Sequence, residues 1–324
     1  MISKSAASSS SSLMKKIVIL TGASDGLGKG AVKHLLSDYS NPSVHVIMAC
    51  RSEEKALNAI KDIENELSTI KGSASSENLC KGSMEFMKLD LSDLESVKDF
   101  AKKFLEKNLP LHALVCNAGC WSSNERKTTK QGFEMSYGTN HLGHFLLVHL
   151  LLDKLKESAP SRVVIVASGL HKRGKIQDLL QDPNFEHVSK FSGNQAYNNS
   201  KLANVLFAYG LVRRLTQQAS SSNHNLPQCG VSVYALHPGV VSTSLLREAF
   251  PSWIKPLTSL LFQTPEYASG CISYHAMDEK QEGVYGMKFY DQWKEKKSLN
   301  DTYSEKYQDR LWELTMSQLA PYLN

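Results

Sequence analysis

The sequence predicts an α/β fold, a doubly wound parallel sheet of about seven strands with helices on both faces. Three observations predict it. Short β-rich runs alternate with longer amphipathic helical runs over most of the chain. The runs that read as strands are apolar along their whole length rather than at every second position, as strands covered on both faces must be. A glycine-rich turn directly follows the first strand, at the end of the sheet where such folds receive ligands.

Taken in order, residues 16–21 (KIVILT) form a strand and 27–39 a helix. Residues 44–49 (VHVIMA) give a second strand. A helix follows over 53–67, with Ala56, Leu57, Ile60, Ile63 and Leu67 on one face. A serine- and glycine-bearing loop covers 68–83, then come a strand at 84–89, a helix at 94–107 and a strand at 111–116 (LHALVC). A long helix is expected over 134–157, a strand at 162–167 (RVVIVA), a helix at 195–217 and a strand at 231–236 (VSVYAL). A helix near 265–277 and a short strand near 286–290 close the series. The serine-rich residues 1–14 read as a disordered lead-in, and 15–324 as a single domain.

Composition excludes several classes. The chain has 324 residues, 41% hydrophobic and 21% charged, with a net charge of +5 from scattered basic residues. No basic stripe suggests nucleic acid. Of the six cysteines, Cys50, Cys116 and Cys271 sit in apolar runs, and the Cys116–Cys120 spacing is not that of a zinc site. A reduced, intracellular protein is the simplest reading. The N-terminus lacks the apolar stretch of a signal peptide, and the longest apolar run, 145–152, is interrupted by His149 and far short of a membrane span. The expected location is cytoplasmic or peripherally membrane-associated, and a homo-oligomer is compatible with the composition.

The first strand runs into Thr21-Gly22-Ala23-Ser24-Asp25-Gly26-Leu27-Gly28. Missing side chains let backbone approach a pyrophosphate, and the N–H groups and dipole of the following helix favour its charge. Gly22, Ser24, Asp25, Gly26, Leu27 and Gly28 are therefore candidate cofactor-binding residues. The second strand ends in Ala49-Cys50-Arg51-Ser52, with no acid to bind ribose hydroxyls before Glu53. The guanidinium of Arg51 suits a 2′-phosphate instead, so NADP(H) is expected over NAD(H). Further along, Tyr197 and Lys201 lie four residues apart, on one face of the predicted helix. A phenol near a lysine ammonium and a positive nicotinamide ring is favoured as phenolate, which suits proton exchange with a carbonyl oxygen.

The spacing Gly22-x-x-x-Gly26-x-Gly28, the Tyr197-x-x-x-Lys201 pair and the strand-end turns together resemble the short-chain dehydrogenase/reductase superfamily. The stretches GTNHLGHFLL and AYNNSKLANVLF look most like its retinol dehydrogenase group and the related WW-domain oxidoreductase, although no WW module reads ahead of the glycine turn. The resemblance implies a Rossmann fold and roles for further residues. Asp90 and Leu91 would flank the adenine, and Asn117-Ala118-Gly119 would support the sheet near the cofactor ribose. The stretch His237-Pro238-Gly239-Val240-Val241-Ser242-Thr243 would hold the nicotinamide carboxamide, through Pro238, Gly239, Val241 and Thr243. Ser168 would bind the substrate oxygen, although Ala167 stands where many relatives carry another serine. Asn140 would kink its helix and bind a water that links Lys201 to solvent. Asn140, Ser168, Tyr197 and Lys201 form the expected catalytic set.

Other polar residues read as structural. His141, His144 and His149 lack metal-site spacing, and no metal is expected. His237 reads as packing. Two segments should face substrate. One is 169–194, with Leu170, Ile176, Leu179, Leu180 and Phe185; the other, around 244–264, includes Phe250, Trp253 and Phe262. The second reads as a lid over a lipophilic substrate, as a helical hairpin packed on the body, or as a surface resting on membrane. The expected activity is NADP(H)-dependent interconversion of a carbonyl and an alcohol on a retinoid-, steroid- or xenobiotic-like molecule. The competing reading is a catalytically silent cofactor-binding scaffold. A nucleotide-sugar epimerase would need a larger C-terminal domain.

Overall fold

β1 (Lys16–Thr21) sets the layering. The computed structural model describes residues 15–37, 43–71, 82–121, 123–221, 230–239, 264–278 and 287–323. In it, Ile17 and Ile19 of β1 enter one core and Val18 and Leu20 the other. Successive side chains leave a strand on opposite faces, so a strand apolar throughout must be covered twice. The same alternation runs through β2 (Val44–Cys50), with Ile47 and Ala49 on one side and Val46 and Met48 on the other.

β3 (Ser83–Lys88), β4 (Ala113–Cys116), β5 (Ser161–Val166), β6 (Val231–His237), β7 (Met287–Asp291) and β8 (Lys294–Glu295) complete one sheet, in the order β3-β2-β1-β4-β5-β6-β7-β8. The pairings from β3 across to β7 are parallel, and β8 returns antiparallel along β7. The sheet thus has eight strands rather than about seven. The extra one is a two-residue edge of exposed Lys294 and Glu295, too short and polar to show a period. An ion pair between Lys288 and Glu295 at 2.9 Å crosses that edge.

Helices α1 (Gly26–Ser37), α2 (Glu53–Lys71) and α8 (Pro265–Met277) supply buried residues to the Val18 core. Helices α3 (Leu94–Glu106), α5 (Gly143–Glu157), α7 (Gly193–Ser221) and α9 (Glu305–Leu319) build the Ile17 core. α9 has no counterpart in the sequence reading. Its buried stripe is Gln308, Leu311, Thr315 and Leu319, half of it polar, so no apolar period stands out. The helix expected over 134–157 is broken into α4 (Met135–Tyr137), a π-turn (Gly138–Leu142) and α5. A single-turn π-bulge inserts a residue and re-aims side chains, and this one carries Asn140. α6 (Ile176–Gln181) lies in the connection between β5 and α7.

The chain runs outward from β1 through β2 to β3, then crosses back to place β4 on the other side of β1. That reversal leaves a crevice at the carboxyl ends of β1 and β4, where a ligand site is expected. The lead-in 1–14, most of the 68–83 loop, Val241, Thr243 and the apolar segment 244–263 lie outside the described residues.

Candidate active site

The carboxyl ends of β1, β2, β4, β5 and β6 open on one cleft of about 1210 Å³. Its walls contain the predicted turn residues Gly22, Ser24, Asp25, Gly26, Leu27 and Gly28, and also Arg51, Asp90, Leu91, Asn117, Ala118, Gly119, Pro238 and Gly239. Ser168, Tyr197 and Lys201 line the same cleft. Asn140 does not; it lies behind Gly119.

The turn after β1 fits a pyrophosphate. Gly22 has φ +67°, and a Cβ there would sit 2.9 Å from the Cα of Ala118. A Cβ on Gly28 would overlap the carbonyl oxygen of Gly22 and lie 2.8 Å from Asn117 Nδ2. The turn, the start of α1 and the Asn117 turn are therefore in backbone contact. Asn117 Nδ2 donates to the Thr21 carbonyl at 2.8 Å, and Thr21 Oγ1 accepts from the N–H groups of Asn117 and Ala118, each at 2.9 Å. α1 carries no acidic residue in its first turn, and the carboxylate just before it, Asp25, accepts the Gly26 N–H at 2.7 Å, so the N–H groups beyond Gly26 are the ones that remain for an anion.

At the β2 end, the exposed side chain of Arg51 lines the cleft with Lys55 and Asn58, and among the described residues it makes no ion pair. The acid on this wall, Asp62, is held by Lys29 at 2.7 Å. The rim is basic on balance.

At the β5 end, α7 presents Tyr197 and Lys201, both buried, as i and i+4 on one face. Lys201 Nζ donates to the Val166 carbonyl at 3.0 Å and lies 5.7 Å from the centre of the Tyr197 ring. Burial pushes the Tyr197 phenol up to about 12, against a hydrogen bond from Ser168 that works the other way. Burial also brings Lys201 down to about 8. The expectation of a depressed phenol rested on the lysine ammonium and a positive nicotinamide ring; in the protein alone burial is the larger effect, and Tyr197 is a neutral acid. Ser168 Oγ accepts from the Leu170 N–H at 3.2 Å, which leaves its own hydrogen free to donate.

Asn140 spends its side chain on direct contacts. Its Oδ1 accepts from the Cys120 N–H at 2.8 Å, and its Nδ2 donates to the Cys120 carbonyl and to Ser200 Oγ, each at 2.9 Å. It thus ties the turn after β4 to α7. A Cβ on Gly119 would lie 3.4 Å from both Asn140 Oδ1 and Lys201 Nζ, so the two residues share that wall.

Behind Asn140 is His144, with Nδ1 3.0 Å from the Asn140 carbonyl and Nε2 2.9 Å from Thr21 Oγ1. The carbonyl only accepts, so the hydrogen sits on Nδ1 and the ring is neutral. Burial lowers its pKa from 6.5 to about 4. Between those values the unfolded chain binds a proton that the folded protein refuses. Stability therefore falls as pH drops through this window, by about 1.4 kcal/mol per pH unit for one such group. Thermal unfolding from pH 7 to pH 5 should show a shallower decline in His144→Gln than in wild type; equal slopes would contradict this origin.

Two features were missed in the sequence. Trp121 stacks on Tyr197, centroids 4.2 Å apart and planes 11° apart, and its Nε1 donates to Asn194 Oδ1 at 3.1 Å. Its signal was an aromatic residue two places beyond the Asn117-Ala118-Gly119 turn. His237, read as packing, does lie against Gly169, where a Cβ would come within 3.2 Å of its ring, but it also lines the cleft. Most of the predicted substrate-facing residues between Ser168 and Tyr197 are elsewhere. Ile176, Leu179 and Leu180 belong to the core and Phe185 is buried, because α6 turns its apolar side inward. Leu170, Arg173 and Asn194 reach the cleft. Among the described residues no cluster of His, Cys, Asp or Glu could hold a metal ion, and no helix is long and apolar enough to cross a membrane.

Comparison with known proteins bears on this cleft. The profile of the short chain dehydrogenase family matches residues 16–178. Human retinol dehydrogenase 11 is 37% identical, covering 99% of this chain and 91% of that protein. Human retinol dehydrogenase 13 is 39% identical over 92% of this chain and 82% of its own length. Human polyprenol dehydrogenase is 36% identical over 92% and 83%. Among solved structures, an uncharacterized protein from Mycobacterium paratuberculosis superposes with a TM-score of 0.66 at 27% identity, covering 94% of this chain and 93% of that one. A short chain dehydrogenase from Shigella flexneri, complexed with NADP, superposes with a TM-score of 0.62 at 21% identity, covering 87% and 99%.

Proposed function

The chain belongs to the short-chain dehydrogenase family, in its retinol dehydrogenase-like group; from that premise we propose that it is an NADP(H)-dependent oxidoreductase interconverting a carbonyl and an alcohol on a lipophilic small molecule. The observation that carries this reading is the meeting of a neutral, buried Tyr197, bonded to Ser168, with Lys201 and the glycine turn in one cleft. The nicotinamide, when bound, supplies or receives the hydride. The protein does the rest.

In the reducing direction, a bound carbonyl would take the hydrogen that Ser168 otherwise gives to Tyr197, together with the phenol hydrogen, and the two donors polarise it. As the carbon gains hydride, its oxygen takes the Tyr197 proton, and the alcohol forms. The ammonium of Lys201 then faces the phenolate left behind and steadies it. Asn140 holds the turn after β4 on α7, so that the wall carrying Lys201 does not shift. The glycine turn and the N-terminus of α1 hold the pyrophosphate, Asp90 and Leu91 flank the adenine, and Asn117, Ala118 and Gly119 pack near the ribose. Pro238 and Gly239 at the β6 end would take the carboxamide, with Val241 and Thr243 assigned to it from the sequence alone.

Arg51 carries the cofactor preference, as an exposed guanidinium that makes no ion pair among the described residues, on a wall whose Asp62 is occupied by Lys29. A charge-assisted bond to phosphate is worth about 1.5–3 kcal/mol. Arg51→Ala is therefore expected to raise the KM for NADPH by roughly 10- to 100-fold while leaving that for NADH little changed. Steady-state rates with both cofactors across a panel of lipophilic aldehydes and ketones measure this. A wild-type preference for NADH, or a ratio unmoved by the substitution, would overturn the assignment. Tight NADPH binding with no turnover of any carbonyl would favour the cofactor-binding scaffold instead. The lipophilic substrate class is supported by the retinol and polyprenol dehydrogenases among the relatives and by Leu170 and Trp121 in the cleft wall.

A further inference from the structure

The turn that carries Ser168 is closed from outside the sheet. His171 is fully buried, with its Nδ1 2.6 Å from the Ser168 carbonyl and its Nε2 3.2 Å from the backbone N of Leu299. A carbonyl only accepts and a backbone N–H only donates. The ring therefore has one arrangement, a hydrogen on Nδ1 and a lone pair on Nε2. Phe289 of β7 packs against it with centroids 4.8 Å apart.

Leu299 opens a cross-linked segment. Thr302 Oγ1 donates to the Leu299 carbonyl at 2.6 Å, and Gln308 of α9 donates to the Thr302 carbonyl at 2.9 Å. α9 in turn is ion-paired to α7 through Arg213 and Glu305 at 2.8 Å. α7 carries Tyr197 and Lys201. The imidazole thus closes a ring of contacts, from the serine turn through the Leu299 segment and α9 to the helix of the proton donor. A shift of the Ser168 carbonyl changes the torsions on either side of Gly169, and through them the place of the Leu170 N–H against the serine hydroxyl, which orients that hydroxyl toward Tyr197.

We propose that His171 is a positioning residue for Ser168, locking the serine turn to the C-terminal segment so that the hydroxyl stays aimed at the substrate oxygen. This rests on the catalytic reading of Ser168 above. The test compares His171→Phe, which keeps an aromatic ring on Phe289 but no polar atom, with His171→Asn, whose amide donor replaces Nδ1. A third variant, His171→Gln, reaches Leu299 with its carbonyl and leaves the Ser168 carbonyl only the backbone N–H of residue 171, 3.0 Å away. For each, kcat, the carbonyl KM, the NADPH Kd and the Tm are measured.

His171→Phe should lower kcat by about 10- to 100-fold, the scale of a small misplacement of a reacting group, with the NADPH Kd unchanged. His171→Asn should recover most of the loss, and His171→Gln should recover less than His171→Asn. If His171→Phe does not fold, the order of the two amide variants decides. A kcat within about twofold of wild type in His171→Phe, or Gln equal to or better than Asn, would overturn the inference. Ser168→Ala separates the two readings. If it leaves kcat unchanged, the catalytic role of the serine fails, and the inference with it. If it lowers kcat while His171→Phe does not, the inference alone fails.

Discussion

Replacing Tyr197 with phenylalanine is expected to lower kcat for carbonyl reduction by a factor on the order of 10²–10⁴, the usual contribution of a positioned general acid. The substitution removes one oxygen. The ring keeps its place under Trp121, 4.2 Å away, and α7 keeps its apolar packing. NADPH affinity, followed by the fluorescence of the reduced nicotinamide, should therefore change little while turnover collapses. The phenol is buried and held neutral, with its pKa pushed up to about 12, so the proton is present across the physiological range. The two described neighbours, Lys201 and Ser168, do not replace it. Lys201 is occupied by the Val166 carbonyl, and the free hydrogen of Ser168 belongs to a hydroxyl with no base behind it.

Gly28→Ala is expected to raise the NADPH Kd by at least about 100-fold, because the donors that would hold a pyrophosphate must move. The new Cβ overlaps the Gly22 carbonyl and stands 2.8 Å from Asn117 Nδ2. Both obstacles are fixed: one is backbone, and the other is the amide that bonds the Thr21 carbonyl. Relief requires α1 to back away from the turn, and that withdraws its N–H groups from the anion. Overpacking of this kind also costs about 1–3 kcal/mol of stability. Calorimetric titration with NADPH, beside a melting curve showing that the variant is folded, checks the expectation. An affinity equal to that of wild type would mean that the anion is held elsewhere.

The parts that were legible in the sequence are those where local chemistry and topology coincide. Apolar runs such as KIVILT need cover on both sides, Gly22 and Gly28 stand where backbone approaches backbone, and Gly26 has a φ of +51° that favours glycine. The Tyr197–Lys201 pair is local to one helix, so spacing alone placed both on one face. Functions that depend on long-range packing were not legible. Ile176 and Leu179 are as apolar as residues over a substrate would be, and only the docking of α6 shows that they belong to the core. α9 escaped because its buried face mixes Gln308 and Thr315 with leucines. His171 and His144 do their work through Leu299 and Thr21, more than a hundred residues away in sequence. The depressed phenol expected for Tyr197 was an inference from two charges, the lysine ammonium and the nicotinamide ring; the fold adds burial, which in the protein alone is the larger effect. Trp121 escaped because an aromatic residue beyond a turn has no period to reveal it.

The account stands most directly on the transfer itself. NADPH carrying deuterium at the transferable position of its nicotinamide, incubated with a lipophilic aldehyde and the wild-type protein, should yield the alcohol with one deuterium on the carbinol carbon, in step with cofactor oxidation. Tyr197→Phe should bind the same cofactor and yield almost none. Alcohol that carries no deuterium, or product formed equally fast by Tyr197→Phe, would contradict it.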